Sequence, residues 1–342
     1  MIQRLDYEAR PNTDPQQPLD GTDSNRVDHT NESINSITEE IVELVDGTCC
    51  NLNDLSIEDL NQLQWEQETA FAKQIKHSTK GSQRRTEVIC LAYQTVCKIL
   101  AKISEREGNS EFAMGMDHRY THFVLERLNA LNMNQNTGGL FEVGFGSGML
   151  LQSAAQNGYR VGGLEVADQL LSDAKDKLPK RDHQNLCFGN FLDNETVNDL
   201  AGTFDVVYWN DVFEHIPVDE ISEYLEKIYS LLTPGGELIT ITPNWHMRPV
   251  DVTADHMPPR STAIGFHLKE YKLSEVVGLL RQSGFQTVTT PSLISKSKIH
   301  HHWFLSLTRF KQWIEPVLEL LPYRLAVQVC RRFGFSLTIA KK

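Results

Sequence analysis

The chain is expected to fold as an α/β protein, a doubly wound, mostly parallel sheet of seven strands preceded by a helical cap. Three observations carry this expectation. A buried strand, Leu140 to Val143, runs into a glycine-rich turn, Gly144-Phe-Gly-Ser-Gly148, and then into a helix. From Gly139 onward strands and helices alternate, as a parallel sheet requires. The next strand, within Tyr159 to Val166, ends in an acid, Glu165, at the distance past the glycines where a nucleotide-binding fold places one. Gly144, Gly146 and Gly148 carry no Cβ, so the backbone can turn tightly and approach a ligand. The following helix directs its free amide groups at the same place.

Strands are expected at 140–143, 160–165, 185–188, 204–209, 236–242 and 285–290, with a last strand over 335–340. Helices fall between them, at about 148–157, 168–178, 195–201, 219–232 and 273–283, and a long helical excursion rich in basic residues covers 303–333. Ahead of the sheet, residues 1–35 are rich in Asp, Asn, Gln, Thr and Pro and read as a loosely ordered acidic leader. Residues 36–115 read as helical. Ile37, Ile41 and Val45 share one face, Asp54 or Ser56 caps a helix towards Ala70, and Ile89, Ala92, Val96 and Leu100 repeat at helical spacing. A further helix runs from Asp117 to Leu131, inside the sheet domain drawn from 116 to 342. The added helices form either a structural cap or a lid that shields the reaction from water.

The net charge of −12 is uneven: residues 1–60 hold 14 acids and 3 basic residues, whereas 291–342 hold 9 Lys/Arg and 2 Glu. An acidic front and middle argue against a broad nucleic-acid surface. No apolar run is long enough to span a bilayer and no signal-type N-terminus is seen, so a cytoplasmic protein is expected. Six scattered cysteines form no C-x-x-C and indicate neither a disulfide framework nor a zinc site. The tail from Trp303 to Phe335 mixes Trp, Phe and Leu with Arg and Lys. Such a stretch packs on the sheet, lies on a membrane, or receives an acidic partner such as a carrier protein.

The dinucleotide fingerprint needs a small residue where this chain has Met149, and no phosphate-loop motif occurs. With Glu142 just before the glycines, the turn instead resembles the first signature of the Rossmann-like S-adenosylmethionine (SAM) dependent methyltransferases. Phe204-Asp-Val-Val-Tyr-Trp-Asn-Asp-Val-Phe-Glu-His-Ile-Pro217 and Leu231-Leu-Thr-Pro-Gly-Gly-Glu-Leu-Ile-Thr-Ile-Thr-Pro-Asn244 resemble the fourth- and fifth-strand segments of the group that includes ubiquinone-biosynthesis methyltransferases. Gly265 to Glu275 and Leu279 to Phe285 extend the likeness, which covers about 115 to 290. It implies SAM as cofactor, held by Glu142, Gly144, Gly146, Gly148 and Glu165, the last through the ribose hydroxyls. It also implies an adenine contact from Asn190 and Phe191, a further contact from Asn210, and Arg119 near the SAM carboxylate.

SAM carries an already activated methyl, so the protein must align the acceptor and, for a hydroxyl, remove a proton. His267 is the preferred base, with His215 as its rival. His246 and His256 lie in the preceding loop with Asp251 and Asp255, where Asp251, Asp255 and His256 have no defined metal-ligand spacing, so no metal is assigned. His300-His-His302 reads as a solvated turn. The expected activity is O-methylation of a small-molecule intermediate, in secondary metabolism. Methylation at carbon on a carrier-protein-bound acyl group, and a SAM-binding scaffold that no longer reacts, remain alternatives. A reductase is disfavoured because no Tyr-x-x-x-Lys is found, and RNA methylation because Asn210-Asp-Val-Phe213 lacks the N-P-P-Y prolines.

Overall fold

The computed structural model describes residues 40–108, 117–132, 138–302 and 307–342; the leader, Ile37 and residues 303–306 lie outside them. The central sheet has seven strands: β3 (Gly139–Val143), β4 (Arg160–Glu165), β5 (Leu186–Phe188), β6 (Phe204–Asn210), β7 (Leu232–Ile241), β8 (Thr287–Thr289) and β11 (Leu337–Lys341). Their spatial order is β5-β4-β3-β6-β7-β11-β8. Pairs from β5 to β7 are parallel, and β11 is antiparallel to both its neighbours. The chain winds outward from β3 to β5, then returns to β6 on the other side of β3. That reversal opens a crevice at the carboxyl ends of β3 and β6, where this architecture binds ligands. β3 and β6 are almost wholly buried because helices cover both faces, which explains their continuous apolar runs.

Two corrections concern the front of the chain. Residues expected to be helical from Ile41 form a hairpin, β1 (Ile41–Glu43) against β2 (Cys49–Asn51). Asp46-Gly47 makes its turn: Asp46 accepts hydrogen bonds from the Thr48 amide and hydroxyl, and Gly47 takes φ 83°. Val42, not Ile41, is buried, against Leu52, Leu60, Ile99 and Ile103. Ser56 rather than Asp54 then caps α1 (Ile57–His77), in a reciprocal capping box with Asp59. The helix continues a full turn and more beyond Ala70. α2 (Gln83–Arg106) returns antiparallel to it, and α3 (His118–Leu131) leads into β3.

The sheet helices follow as α4 (Met149–Gln156), α5 (Asp168–Lys177), α6 (Glu195–Asp199) and α7 (Ile221–Leu231). After β7 come the short α8 (Thr253–His256) and then α9 (Leu273–Gln282). The Pro234-Gly235-Gly236 turn expected before the fifth strand lies inside β7, where the pairing with β6 shifts register. The excursion before β11 is not one helix. It opens with a small hairpin, β9 (Leu293–Ile294) and β10 (Ile299–His300). α10 (Thr308–Ile314) follows, then a 3₁₀ turn over Glu315–Glu319 and α11 (Tyr323–Arg332). Pro316 and Pro322 break the helical run, since neither can donate an amide hydrogen bond. The histidine triplet is likewise no solvated turn, because His300 is in β10 and His301 Nε2 meets Thr289 Oγ1 at 2.9 Å.

The α1–α2 hairpin rests on the sheet domain in two ways. Phe71, Ala72, Ile75, Val88, Ala92 and Val96 pack against Phe266 and Leu268. Arg85, buried, donates to Glu220 at 2.6 Å and Asp219 at 2.8 Å, and the Gly81 amide donates to Glu220 as well. Glu220 is itself buried, so removing the guanidinium would strand a charge. Arg85→Ala is therefore expected to destabilise the protein by about 3–5 kcal/mol and to expose the hairpin to protease. Denaturant unfolding and limited proteolysis check this; an unaltered unfolding midpoint would mean that the ion pair does not hold the hairpin.

Candidate active site

The glycine turn is shaped by close approach. Gly144 has φ 69°, and a Cβ there would lie 2.7 Å from Val212 Cγ2; Gly148 has φ 71° and would meet Ala174 Cβ at 2.9 Å. Both positions thus exclude a side chain twice, by conformation and by contact. Glu165, at the tip of β4, ties the turn down. Its Oε2 accepts from the Gly146 amide at 2.8 Å, and its Oε1 from the amides of Val166 (2.8 Å) and Ala167 (3.3 Å). Burial raises its carboxyl, and these three amides oppose the rise. A carboxylate has about four acceptor sites, so one remains for a ligand hydroxyl.

Glu142 is buried at the end of β3, with Oε2 unpaired. Burial pushes its carboxyl well up, and the charge of Glu165 adds to this. An orphaned carboxylate oxygen beside a Cβ-free cradle suits a ligand that brings cationic groups, and SAM brings two, an ammonium and a sulfonium. The residues present therefore fit that cofactor. Asn210, at the end of β6, adds an unpaired Oδ1. Asp211 follows it with φ 52°, a conformation that costs a non-glycine residue energy and so marks a constrained strand end.

A cavity of about 1450 Å³ extends from this turn. Glu142, Gly144, Gly146, Glu165, Phe191 and Asn210 line one part of it, and His215 and His267 another. The hairpin closes it, with Gln64 and Glu68 from α1 and Tyr93 and Cys97 from α2. Two expected residues are directed elsewhere. Asn190 donates to Thr86 (3.0 Å) and Asp193 (2.8 Å) and accepts from the Leu192 amide, which joins the third strand's loop to α2 without facing the cavity. Arg119 spends its guanidinium on both oxygens of Asp117 and on the Ser295 carbonyl at 3.1 Å. Arg331 of α11 lines the cavity instead. The Phe191 ring is stacked on Tyr224, with centroids 5.3 Å apart, and is 1% exposed.

The histidines sort by their partners. His246 is paired with Glu319 at 2.9 Å, and His256 stacks on Trp65 at 4.1 Å. His267 is fully buried. Its Nδ1 meets Glu270 Oε1 at 3.0 Å, while its Nε2 has no hydrogen-bond partner. Burial pulls its imidazole down to about 4 and pushes the Glu270 carboxyl up to about 7. His215 stands edge-on to His267, centroids 4.9 Å apart, with Nδ1 unpaired; burial first, then His267, hold it well below the ordinary imidazole value. Glu214, 3.7 Å from His267 Nε2, is fully buried and neither oxygen has a partner of normal geometry. The Thr242 hydroxyl gives it only slight relief, and burial raises its carboxyl well up. Ligating atoms of Glu214, His215 and His267 all lie within 4.8 Å of one another.

Glu270 and Glu68 were not foreseen as parts of this site, whereas Asp251 was named among the loop carboxylates. Asp251 accepts from the His267 amide at 3.3 Å, and Glu68 from the Phe266 amide at 3.5 Å, so both fix the backbone that presents His267. A signal for Glu270 was present in its spacing three residues after His267. Glu68 had none, because it arrives from a distant helix. Glu165→Ala is expected to weaken S-adenosylhomocysteine binding by about 1.5–3 kcal/mol, since a charged acceptor is lost and three amides are left unpaired. Calorimetric titration checks this, and an unchanged dissociation constant would remove Glu165 from the cofactor site.

Residues 141–238 match the family model described as "Methyltransferase domain". The chain is 33% identical over 98 residues to an uncharacterized methyltransferase of Alkaliphilus oremlandii, covering 29% of this chain and 42% of the relative. It is 27% identical over 128 residues to the ubiquinone biosynthesis O-methyltransferase of Acinetobacter baumannii, covering 35% of this chain and 53% of the relative. A solved structure of Haemonchus contortus phosphoethanolamine N-methyltransferase 2 with S-adenosyl-L-methionine aligns at 16% identity and TM-score 0.45, covering 78% of this chain and 61% of that one. The chain spans about half the length of the curated relatives it matches. Residues 141–238 thus match a methyltransferase domain, and they lie in a sheet whose strand order and Glu165-tied glycine turn are those of a Rossmann-like fold.

Proposed function

We propose that the protein transfers the methyl group of SAM to a hydroxyl of a small-molecule intermediate, with His267 taking the hydroxyl proton. The observation that carries this is the pairing of His267: Nδ1 on the Glu270 carboxylate, Nε2 unpartnered and the ring facing the cavity. SAM supplies a methyl activated by its sulfonium. The acidic cradle of Glu142 and Glu165 holds it, and the α1–α2 hairpin serves as a lid that keeps water from the reaction. Burial keeps His267 neutral, which leaves its Nε2 lone pair free. As the acceptor oxygen took the methyl and the methyl–sulfur bond broke to leave S-adenosylhomocysteine, the hydroxyl proton would pass to His267 Nε2. The Glu270 carboxylate, fixed by the Val250 amide at 2.8 Å, then stabilises the imidazolium through Nδ1. Asn190 and Arg119 have no part in cofactor binding in this reading, their polar groups being engaged by neighbours.

His267→Ala is expected to lower turnover by about 10²–10⁴-fold with S-adenosylhomocysteine affinity nearly intact. Unaltered turnover would move the proton to His215 or dispense with a base. The pH profile is specific. Glu270 must be ionised to support the imidazolium, and its carboxyl is raised to about 7, so turnover should fall as the pH drops through about 7. His267, neutral down to about 4, adds no limb near 6.5. In Glu270→Gln the limb should vanish together with most of the rate; a limb persisting at the same midpoint would contradict the assignment.

A second reading is favoured by one observation. Glu214, His215 and His267 have the composition of a two-histidine, one-carboxylate cation site, and their converging atoms are unpaired. A divalent ion held there would lower the acceptor hydroxyl's pKa in place of the base. Chelation separates the two readings: turnover that survives prolonged EDTA dialysis supports the base, and loss restored by added cation supports the ion.

A further inference from the structure

The segment from Leu307 to Leu320 buries several polar side chains and exposes several apolar ones. On the face turned to the protein are Thr308, Lys311 and Glu315, each buried and polar. Lys311 Nζ donates to Thr290 at 2.9 Å and to the Pro291 and Phe333 carbonyls. Glu315 accepts from the amides of Leu273 and Ser274 and so caps α9. On the outer face are Phe310, Trp313, Val317 and Leu320, exposed by 55%, 76%, 52% and 84%. They recur three or four residues apart, so they form one ridge along α10 and the turn after it. A surface helix ordinarily turns such residues inward. Here hydrogen bonds from Lys311 and Glu315 share the inner contacts with Leu318 and Ile314, while the apolar ridge stays exposed.

The charge around the ridge points to what covers it. Arg309 is exposed on the same helix as Phe310 and Trp313, and Arg324 and Arg332 are exposed on the following α11. Of the two acids in the segment, Glu315 is buried and Glu319 is held by Arg248 and His246. The last 52 residues thus carry 9 Lys/Arg against 2 Glu in a chain whose net charge is −12. A ridge of aromatic and aliphatic side chains among basic ones of a single sign is the pattern of a surface that lies on anionic lipid. An acidic protein surface would require matched pockets for each of these side chains, whereas a bilayer interface accepts Trp and Phe without them. Among the described residues no helix is long and apolar enough to cross a membrane, so contact would be peripheral.

We propose that the ridge of Phe310, Trp313, Val317 and Leu320 docks this protein on an anionic phospholipid surface. The adjoining α11 lends Tyr323, Val327 and Arg331 to the cavity wall. The inference does not depend on the methyl acceptor or on the base. The test is co-sedimentation of the full chain with vesicles of phosphatidylcholine alone and of phosphatidylcholine with equimolar phosphatidylglycerol, at low and raised salt. Binding is expected only to the anionic vesicles and weaker in salt. Trp313→Asp with Leu320→Asp should weaken it by about tenfold or more while S-adenosylhomocysteine binding is kept. Should that variant fail to fold, Arg309→Ser with Arg324→Ser should give a loss of about tenfold as well. Protein that stays in the supernatant with both vesicles, or variants that bind as the parent does, would overturn the proposal and leave the ridge to a protein partner. Equal binding to neutral vesicles would overturn its anionic part.

Discussion

The site depends on one carboxylate. Glu165 accepts hydrogen bonds from Gly146 across the strand boundary and from Val166 and Ala167 beyond its own strand. It thereby joins the ends of β3 and β4 beside the crevice between β3 and β6, where the sheet order reverses. Without it the Gly146 amide of the glycine turn and the Val166 and Ala167 amides beyond β4 would lose their common acceptor. With it, the turn presents a Cβ-free floor at the cavity that Glu142 also lines, and Glu142 Oε2 has no hydrogen-bond partner among the described residues. The low polarity of that environment raises both carboxyls. A cationic ligand is thus favoured twice, by position and by the charge it would relieve.

The helical hairpin gives the cavity its second wall, and its attachment is both apolar and ionic. Phe266 is the meeting point: it packs under α1 and α2, its amide faces Glu68, and the next residue is His267. The hairpin and His267, the proposed base, therefore meet through two adjacent residues. A hairpin displaced from Phe266 would release the loop that holds His267 between Asp251 and Glu270. Cofactor site, base and cover consequently form one connected unit, although they come from four distant parts of the chain.

Much of the fold was legible because its signals are local. Strands β3, β4 and β6 were found to within a residue or two, since buried parallel strands read as unbroken apolar runs between glycine turns. The hairpin at Ile41–Asn51 was missed because Ile41 and Val45 fit a helical period, while the Asp46-Gly47 turn signal outweighs that period in the folded chain. The helical excursion expected over 303–333 is divided among its described residues into α10, a 3₁₀ turn and α11, with Pro316 and Pro322 at the breaks. In the site, glycines and acids on consecutive strands could be placed from spacing. The partners of Arg119 and Asn190 could not, because Ser295 and Thr86 lie far away in sequence. The same limit hid Glu214 beside His267, a contact made only when β6 and the loop after β7 fold together.

The central claim is that cofactor binding and the helical cover act on one enclosed cavity floored by the Glu165-bound turn. Amide hydrogen exchange with and without S-adenosylhomocysteine tests it directly. Protection should appear together in the glycine turn from Gly144 to Gly148, at Val166 and Ala167, and in the part of α2 around Tyr93 and Cys97. Protection confined to the turn, with α2 exchanging as before, would contradict it, because the hairpin would then have no part in enclosing the ligand.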